Sequence, residues 1–321
     1  MILDSSENNI LNASQIIKSG GIIAFPTETV YGLGANCFND QAIDKIYKAK
    51  NRPKSNPLIA HILNTSWLDR VCGNLTDKQL LKIEKLSKFW PGPLTLILPS
   101  NESVSKLATA GLNSIGIRIP NNNIALKLIE FSDLPIVAPS ANPANFLSPT
   151  NALHVEEFLG DKIDMVIDGG ECKVGIESTI ISLLEDKPKL LRAGIITVDE
   201  LEESLKEKIA INNQPKESLP ESPGQFKVHY SPKTKLCFFD NQPSNNKNIA
   251  RIKFNNSIDQ YQYQYSMILS PNNNLYQIAS GLFKALHEVD KMNFDEILID
   301  PCEERGIGLA IMDRLKKATA K

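Results

Sequence analysis

Lys50-Asn51-Arg52-Pro53-Lys54 sets three cations within one short run. Arginine offers a planar fork to phosphate oxygens and lysine a mobile point charge, so the run suits a polyanion. It also suits a solvated helix end, where cations offset the dipole. Pro139-Ser140-Ala141-Asn142 ends an apolar run with a hydroxyl and an amide two residues apart. Such a pair can bond a ribose, a phosphate or a base edge, or can simply make a turn. Ser148-Pro149-Thr150 adds hydroxyls at a helix start, where free N–H groups favour anions. Gly175-Ile176-Glu177-Ser178-Thr179 enters another apolar run, with Arg192 on the run after it. Arg118 is a lone cation in the alternating Ser114-Ile115-Gly116-Ile117-Arg118-Ile119-Pro120; it points to solvent or reaches a carboxylate or phosphate. His61, in an apolar run, reads as a satisfied core histidine. There is no phosphate-loop or dinucleotide glycine fingerprint, and no Ser-His-Asp or metal-ligand spacing.

The elements that must position these groups begin with a helix over residues 9–19, stopped by Gly20-Gly21. Ile22-Ile23-Ala24-Phe25 is a strand leading into Pro26-Thr27-Glu28-Thr29, and Gly32-Leu33-Gly34 reads as a turn. Asp40 caps a helix that delivers Lys50. Strands follow at 57–62, 94–98, 114–120, 135–138 and 165–168, with helices at 66–73, 76–89, 123–131 and, capped by Thr150, to 158. Trp90-Pro91-Gly92-Pro93 forces a rigid turn. Residues 178–183 and 189–192 form a hairpin, and Thr197-Val198-Asp199-Glu200 has capping-box spacing. Interleaved strands and helices predict an α/β fold, a twisted mixed sheet that is antiparallel near the hairpin. Residues 210–225 lack periodicity and read as a linker. Strands at 235–239, 266–269 and 296–299 and helices at 275–289 and 308–317 form a small second α/β unit. The division is 1–208 for a first domain, 209–233 for a linker and 234–321 for a small Rossmann-like domain.

Length and charge limit the functions. The chain has 321 residues, enough for two cores, and a net charge of −2, which argues against broad nucleic-acid binding. Five scattered cysteines without a Cys-x-x-Cys pair fit reduced, packed thiols. The N-terminus lacks signal-peptide character and no apolar run approaches spanning length, so a cytoplasmic location without membrane partners is expected.

Taken together, the pieces resemble the YrdC-like threonylcarbamoyl-adenylate synthases in their long form. The resemblance rests on Phe25-Pro26-Thr27-Glu28-Thr29-Val30-Tyr31-Gly32-Leu33, Lys50-Asn51-Arg52-Pro53, Asn56-Pro57-Leu58-Ile59-Ala60-His61, Trp90-Pro91-Gly92-Pro93-Leu94-Thr95, Ala138-Pro139-Ser140-Ala141-Asn142, Ser148-Pro149-Thr150, Gly175-Ile176-Glu177-Ser178-Thr179 and Leu191-Arg192. The linker Ser222-Pro223-Gly224-Gln225-Phe226-Lys227-Val228-His229-Tyr230-Ser231-Pro232 completes it. The resemblance implies a YrdC-like fold with a concave cavity, and synthesis of threonylcarbamoyl-adenylate and diphosphate from L-threonine, bicarbonate and ATP carrying Mg2+. A downstream transferase complex would then modify an adenosine beside a tRNA anticodon, with tRNA meeting this chain only weakly or indirectly.

By the same resemblance Lys50 and Arg52 are the catalytic pair, and Lys50, Arg52, Thr109, Ser140, Asn142, Ser148 and Arg192 hold ATP. Thr27, Tyr31, His61, Arg118 and Ser178 surround threonine, and Tyr230 folds the linker over the nucleotide. Asn145-Phe146, where Ser-Gly is expected, and Gln225-Phe226 depart from the family pattern. The chemistry agrees: adenylating a carbamate needs orientation and charge neutralisation rather than an acyl nucleophile. Water-labile intermediates also call for a cover. The competing expectation is a double-stranded RNA-binding or ribosome-maturation module without ATP turnover. A carbamoyl-phosphate-using transferase would bring further domains.

Overall fold

The computed structural model describes residues 1–211, 221–224, 229–240, 248–257 and 261–320. The chain opens with β1 (Ile2–Asp4), α1 (Glu7–Lys18), β2 (Ile23–Phe25), β3 (Gly32–Asn36), α2 (Asp40–Lys50) and β4 (Ile59–His61). Two helices, α3 (Leu68–Val71) and α4 (Asp77–Leu86), lead to β5 (Leu94–Pro99), β6 (Ser114–Arg118), α5 (Asn123–Ser132) and β7 (Ile136–Val137). Then come α6 (Ala152–Leu159), β8 (Met165–Asp168), β9 (Thr179–Ser182), β10 (Lys189–Arg192), α7 (Val198–Leu205) and β11 (Ala210–Ile211). These strands form one mixed sheet in the order β1-β8-β2-β3-β7-β4-β6-β5-β9-β10-β11.

Antiparallel pairing is not confined to the β9–β10 hairpin, as the sequence led us to expect. It also joins β2 to β3, β3 to β7, β4 to β7 and β5 to β6. The loop 26–31 between β2 and β3 is too short for a parallel crossover, which needs a dozen residues or more.

Gly32-Leu33-Gly34 is strand, not turn. A Cβ on Gly34 would lie 2.7 Å from the Phe25 ring and 2.8 Å from Ile136. The glycines therefore serve close packing of neighbouring strands rather than a bend.

Two caps also move. Asn39, not Asp40, caps α2, its side chain accepting from the Ala42 amide, while the Asp40 carboxylate takes the Ser105 hydroxyl. Asn151, not Thr150, caps α6; Thr150 instead faces His154 Nδ1 at 3.3 Å. The Thr197–Glu200 capping box is present, and Thr76 with Gln79 forms a second. The helices read over 66–73 and 76–89 are shorter in the fold and carry 3-10 turns at 65–67 and 87–89.

The second unit holds β12 (Lys235–Phe238), β13 (Ile249–Lys253), β14 (Tyr265–Ile268), α8 (Leu275–Asp290), β15 (Glu296–Ile299) and α9 (Ile307–Thr319). Its sheet is all parallel, in the order β12-β15-β13-β14. Strand β13 escaped the sequence reading because Arg251 and Lys253 interrupt its apolar pattern. Both are buried, and Arg251 pairs with Asp300 and lies over the Phe239 ring. The second core takes in Val30, Leu147, Ile176 and Tyr230, so the two units share one apolar junction. Cys37, Cys72 and Cys172 are core residues, but Cys237 and Cys302 are only half-buried. No helix among the described residues is long and apolar enough to cross a membrane.

Candidate active site

One cavity lies where the middle strands end beneath the linker. Thr27, Thr29 and Val30 enter it from the loop after β2, His61 from β4 and Arg118 from β6. Ser140 follows β7, Ser178 precedes β9 and Arg192 ends β10. Arg52, Pro223, Gly224, His229 and Tyr230 close it. Sheet register explains the first of these groupings. β4 and β6 run parallel with His61 opposite Arg118, so both side chains reach the same strand end.

Arg118 is buried, which settles the choice left open by its alternating strand. Its guanidinium lies 2.7 Å from Glu28 Oε1, and Nε donates to the Gly92 carbonyl. Neither Glu28 oxygen has a well-aligned hydrogen bond among the described residues. His61 is edge-on to Phe25, and burial, with Arg118 beside it, pushes its pKa down to about 3. It is therefore neutral at physiological pH, with a ring nitrogen 3.2 Å from the Ile59 carbonyl. The Thr27 hydroxyl accepts from the Thr29 and Val30 amides and donates to the Val30 carbonyl, which holds the loop in a tight coil. On the opposite wall the β9–β10 register shifts between Leu190 and Arg192, and such a bulge re-aims a side chain. Arg192 turns inward, donating to the Ser178 carbonyl and hydroxyl at 3.0 Å each.

A second cavity adjoins the first through Arg52, Ser140 and His229. It adds Lys50, Asn56, Asn142 and Asn145. Asn51 takes a left-handed conformation that ends α2, and the chain folds back so that the Arg52 amide bonds the Tyr47 carbonyl. Lys50 and Arg52 thus both turn inward. Lys50 is 1% exposed, with Nζ donating to the Ser140 and Asn142 carbonyls. Burial, then the charge of Arg52, holds its pKa well below the ordinary lysine value. Arg52 donates to the Asn56 and Pro57 carbonyls, and burial brings its pKa down to about 10. No carboxylate pairs with either cation among the described ion pairs. Asn142 Oδ1 and Asn56 Oδ1 are likewise buried acceptors without a donor among the described residues. Desolvated cations and idle amide groups are suited to an anion that arrives from outside.

Several expected residues are placed elsewhere. Lys54 does not join the cationic pair; it is exposed and bridges to Asp44 at 2.5 Å. Tyr31 is buried, but its hydroxyl donates to the Gly170 carbonyl and accepts from the Gly169 amide, outside both cavities. The Thr109 hydroxyl bonds the Lys106 carbonyl and also lines neither. Ser148 sits behind the wall, its hydroxyl given to Glu177 rather than left free for an anion.

Tyr230 lines the first cavity and packs against His229 and Phe283. Gly224, at φ +86°, lies so close that a Cβ would be 3.0 Å from the Tyr230 hydroxyl and 3.1 Å from Arg192. Of the two family departures, Asn145 takes the left-handed conformation that asparagine tolerates, and Phe146 packs on Phe158. Gln225 and Phe226 lie outside the described residues. The sequence reading missed Glu28, Glu177 and His229 as wall residues, although each adjoins a residue it had singled out. It also missed Arg314, for which no local signal exists.

Known proteins match this chain in sequence and fold. A family model for Sua5, YciO and YrdC proteins, described as "Telomere recombination", matches residues 15–194. A second, described as "Threonylcarbamoyl-AMP synthase, C-terminal domain", matches residues 196–320. The threonylcarbamoyl-AMP synthase of Pyrococcus abyssi is 39% identical over 320 residues, covering 96% of this chain and 93% of its own. That of Bacillus subtilis is 37% identical over 330 residues, covering 98% and 94%. The crystal structure of P. abyssi Sua5 complexed with L-threonine superposes with a TM-score of 0.90 at 37% identity, covering 99% of this chain and 97% of that one. Full-length similarity of sequence and fold leads to one conclusion: this chain belongs to the Sua5–YciO–YrdC family, in the long form that carries the threonylcarbamoyl-AMP synthase C-terminal domain.

Proposed function

We infer that this chain makes L-threonylcarbamoyladenylate from L-threonine, bicarbonate and ATP, with release of diphosphate. The observation that carries this reading is the pairing of two unlike cavities around Arg52 and Ser140. One is a pocket with a neutral histidine and an arginine fork; the other holds two buried cations that have no carboxylate partner among the described residues.

In the first, Arg118 suits the carboxylate of an amino acid, with Thr27, His61 and Ser178 around it. The threonine amine attacks the bicarbonate carbon, water leaves, and a carbamate forms. In the second, Lys50 and Arg52 neutralise the phosphates, with Ser140 and Asn142 beside them, and Arg192 adds its charge from the wall of the first cavity, near enough for Arg52 to feel it. A carbamate oxygen then bonds the α-phosphorus as the bond to the β-phosphate oxygen breaks, and diphosphate carries away the electron pair. Stabilising that spread of charge in a dry site is where preorganised cations contribute most. Pro223, Gly224, His229 and Tyr230 cover the junction and exclude water from the carbamate and the mixed anhydride.

Mg2+ enters as part of the ATP substrate. The described residues hold no cluster of three or more His, Cys, Asp or Glu fit to cage it.

We assign catalysis to residues 1–208, the cover to 209–233 and a supporting role to 234–321. The adenylate is a reactive intermediate, and we propose that a downstream transferase passes its threonylcarbamoyl group to an adenosine beside a tRNA anticodon in the cytoplasm. The RNA-binding alternative is not favoured: Lys50, Arg52, Arg118 and Arg192 are all buried and cannot present a surface to a nucleic-acid backbone.

Diphosphate release from purified protein, with each of ATP, threonine, bicarbonate and Mg2+ omitted in turn, tests the assignment. Turnover that needs every component is expected; none with all four present refutes it.

A further inference from the structure

Arg314 belongs to α9 of the C-terminal unit, yet its guanidinium ends inside the wall of the catalytic cavity. It is fully buried. Nε donates to Glu177 Oε2 at 2.9 Å, and Nη2 lies 3.4 Å from the Glu177 carbonyl. Nη1 donates to the Ala193 carbonyl at 2.7 Å and to Asp313 at 2.9 Å. Glu177 and Ala193 directly adjoin Ser178 and Arg192, the pair that bond each other on the cavity wall. The second Glu177 oxygen accepts the Ser148 hydroxyl.

One side chain from the far unit thereby fixes two adjacent strands of the near one. Burial opposes the charge on Glu177, but Arg314 and then Arg192 outweigh it and keep the carboxyl below its ordinary range. Without Arg314 the carboxylate would be a buried charge with Arg192 as its remaining cation. It would draw Arg192 from Ser178, or take up a proton and change its bond to Ser148. Arg314 lines neither cavity, so it acts through these neighbours.

We propose that Arg314 is a positioning residue for the nucleotide half of the site, and that the C-terminal unit contributes to the reaction through it. An ion-paired Glu177 leaves Arg192 on Ser178 and directed at the cavity. Ser178 has a separate anchor in Thr95, 2.7 Å away, so the threonine half is less dependent on Arg314.

The proposal rests on reading Arg192, on the wall of the first cavity, as a partner of the ATP phosphates where the two cavities meet at Arg52, and the full-length wild type tests that first: absence of turnover refutes the function and not the positioning. Given turnover, R314K keeps a charge but cannot make both contacts to Glu177. We expect its KM for ATP to rise about fivefold or more, as for a charge-assisted network that is loosened, and its KM for threonine to change by less than about twofold. In an E177Q background, where there is no charge left to hold, R314K should change the ATP KM by less than about twofold. If R314K fails to fold, R314M combined with E177Q removes both charges at once; compared with E177Q alone, it should again change the ATP KM by less than about twofold. A wild-type ATP KM in folded R314K, an equal rise in both KM values, or an undiminished effect in the E177Q background overturns the proposal.

Discussion

Lys50→Met separates binding chemistry from folding more cleanly than any other substitution here. The ammonium is 1% exposed and held by two backbone carbonyls, with Arg52 as a neighbouring like charge. Methionine keeps the stem and removes the charge. On the folding side two carbonyls lose a donor, at about 1–3 kcal/mol if fully desolvated. Against this, a buried unpaired cation and its repulsion from Arg52 are removed, and that penalty is of similar size. The two changes nearly cancel, so stability should move by less than about 2 kcal/mol, a shift of a few degrees in Tm.

On the functional side nothing offsets the loss. A preorganised donor to transferring phosphate is worth about 2.7–4 kcal/mol, or 10²–10³ in kcat/KM. The assay is threonine- and bicarbonate-dependent diphosphate release, beside a thermal melt of each protein.

Proton linkage gives a second readout. Burial lowers the Lys50 pKa in the free protein, and a phosphate partner restores the charged form, so ATP binding takes up a proton. Affinity should therefore fall as pH climbs above the lowered value. Calorimetry at a series of pH values, in two buffers of different ionisation enthalpy, locates the uptake, and Lys50→Met should abolish it. A variant that keeps more than about a tenth of the wild-type kcat/KM, or that melts far below it, would refute the argument.

Other outcomes follow from the same geometry. All four histidines have depressed pKa values, to about 3 for His61 and His154 and about 4 for His287, while burial holds His229 well below the ordinary value. Each is a base held neutral, so the stability it supports is complete above its unfolded value near 6.5 and lost as pH falls towards the folded value. Each contributes a slope of about 1.4 kcal/mol per pH unit, and chemical denaturation at a series of pH values should show proton uptake on unfolding before carboxylates titrate. Gly34→Ala should cost about 1–3 kcal/mol by overpacking Phe25 and Ile136, read as a lowered denaturation midpoint. Glu28→Gln leaves Arg118 buried without its counter-charge and should cost about 3–5 kcal/mol, visible in the Tm of the ligand-free protein. Threonine should recover part of that Tm if Arg118 meets its carboxylate.

Local residue order by itself determined much of this protein. The strands at 165–168, 189–192 and 296–299 stand where apolar runs end in polar or glycine residues, and Thr197 with Glu200 makes the cap their spacing promises. The family resemblance that the clustered motifs carry named eight residues that line the first cavity: Thr27, Arg52, His61, Arg118, Ser140, Ser178, Arg192 and Tyr230. What the sequence left open is decided by contacts between distant residues. Lys50 and Lys54 are both basic and nearly adjacent, yet the left-handed Asn51 turns one inward while the other faces Asp44 and solvent. Tyr31 and Ser148 sit inside promising motifs, but their hydroxyls are claimed by Gly169, Gly170 and Glu177, partners more than twenty residues away. Strand β13 was hidden because Arg251 and Lys253 are buried only once Asp300 and Phe239 assemble around them. Arg314 is the extreme case: nothing in α9 distinguishes it from a surface arginine until the two units meet and Glu177 supplies its opposite charge. Propensity and pattern are local, whereas hydrogen-bond partners and counter-charges are set by the fold, and a polar side chain acquires its role from them.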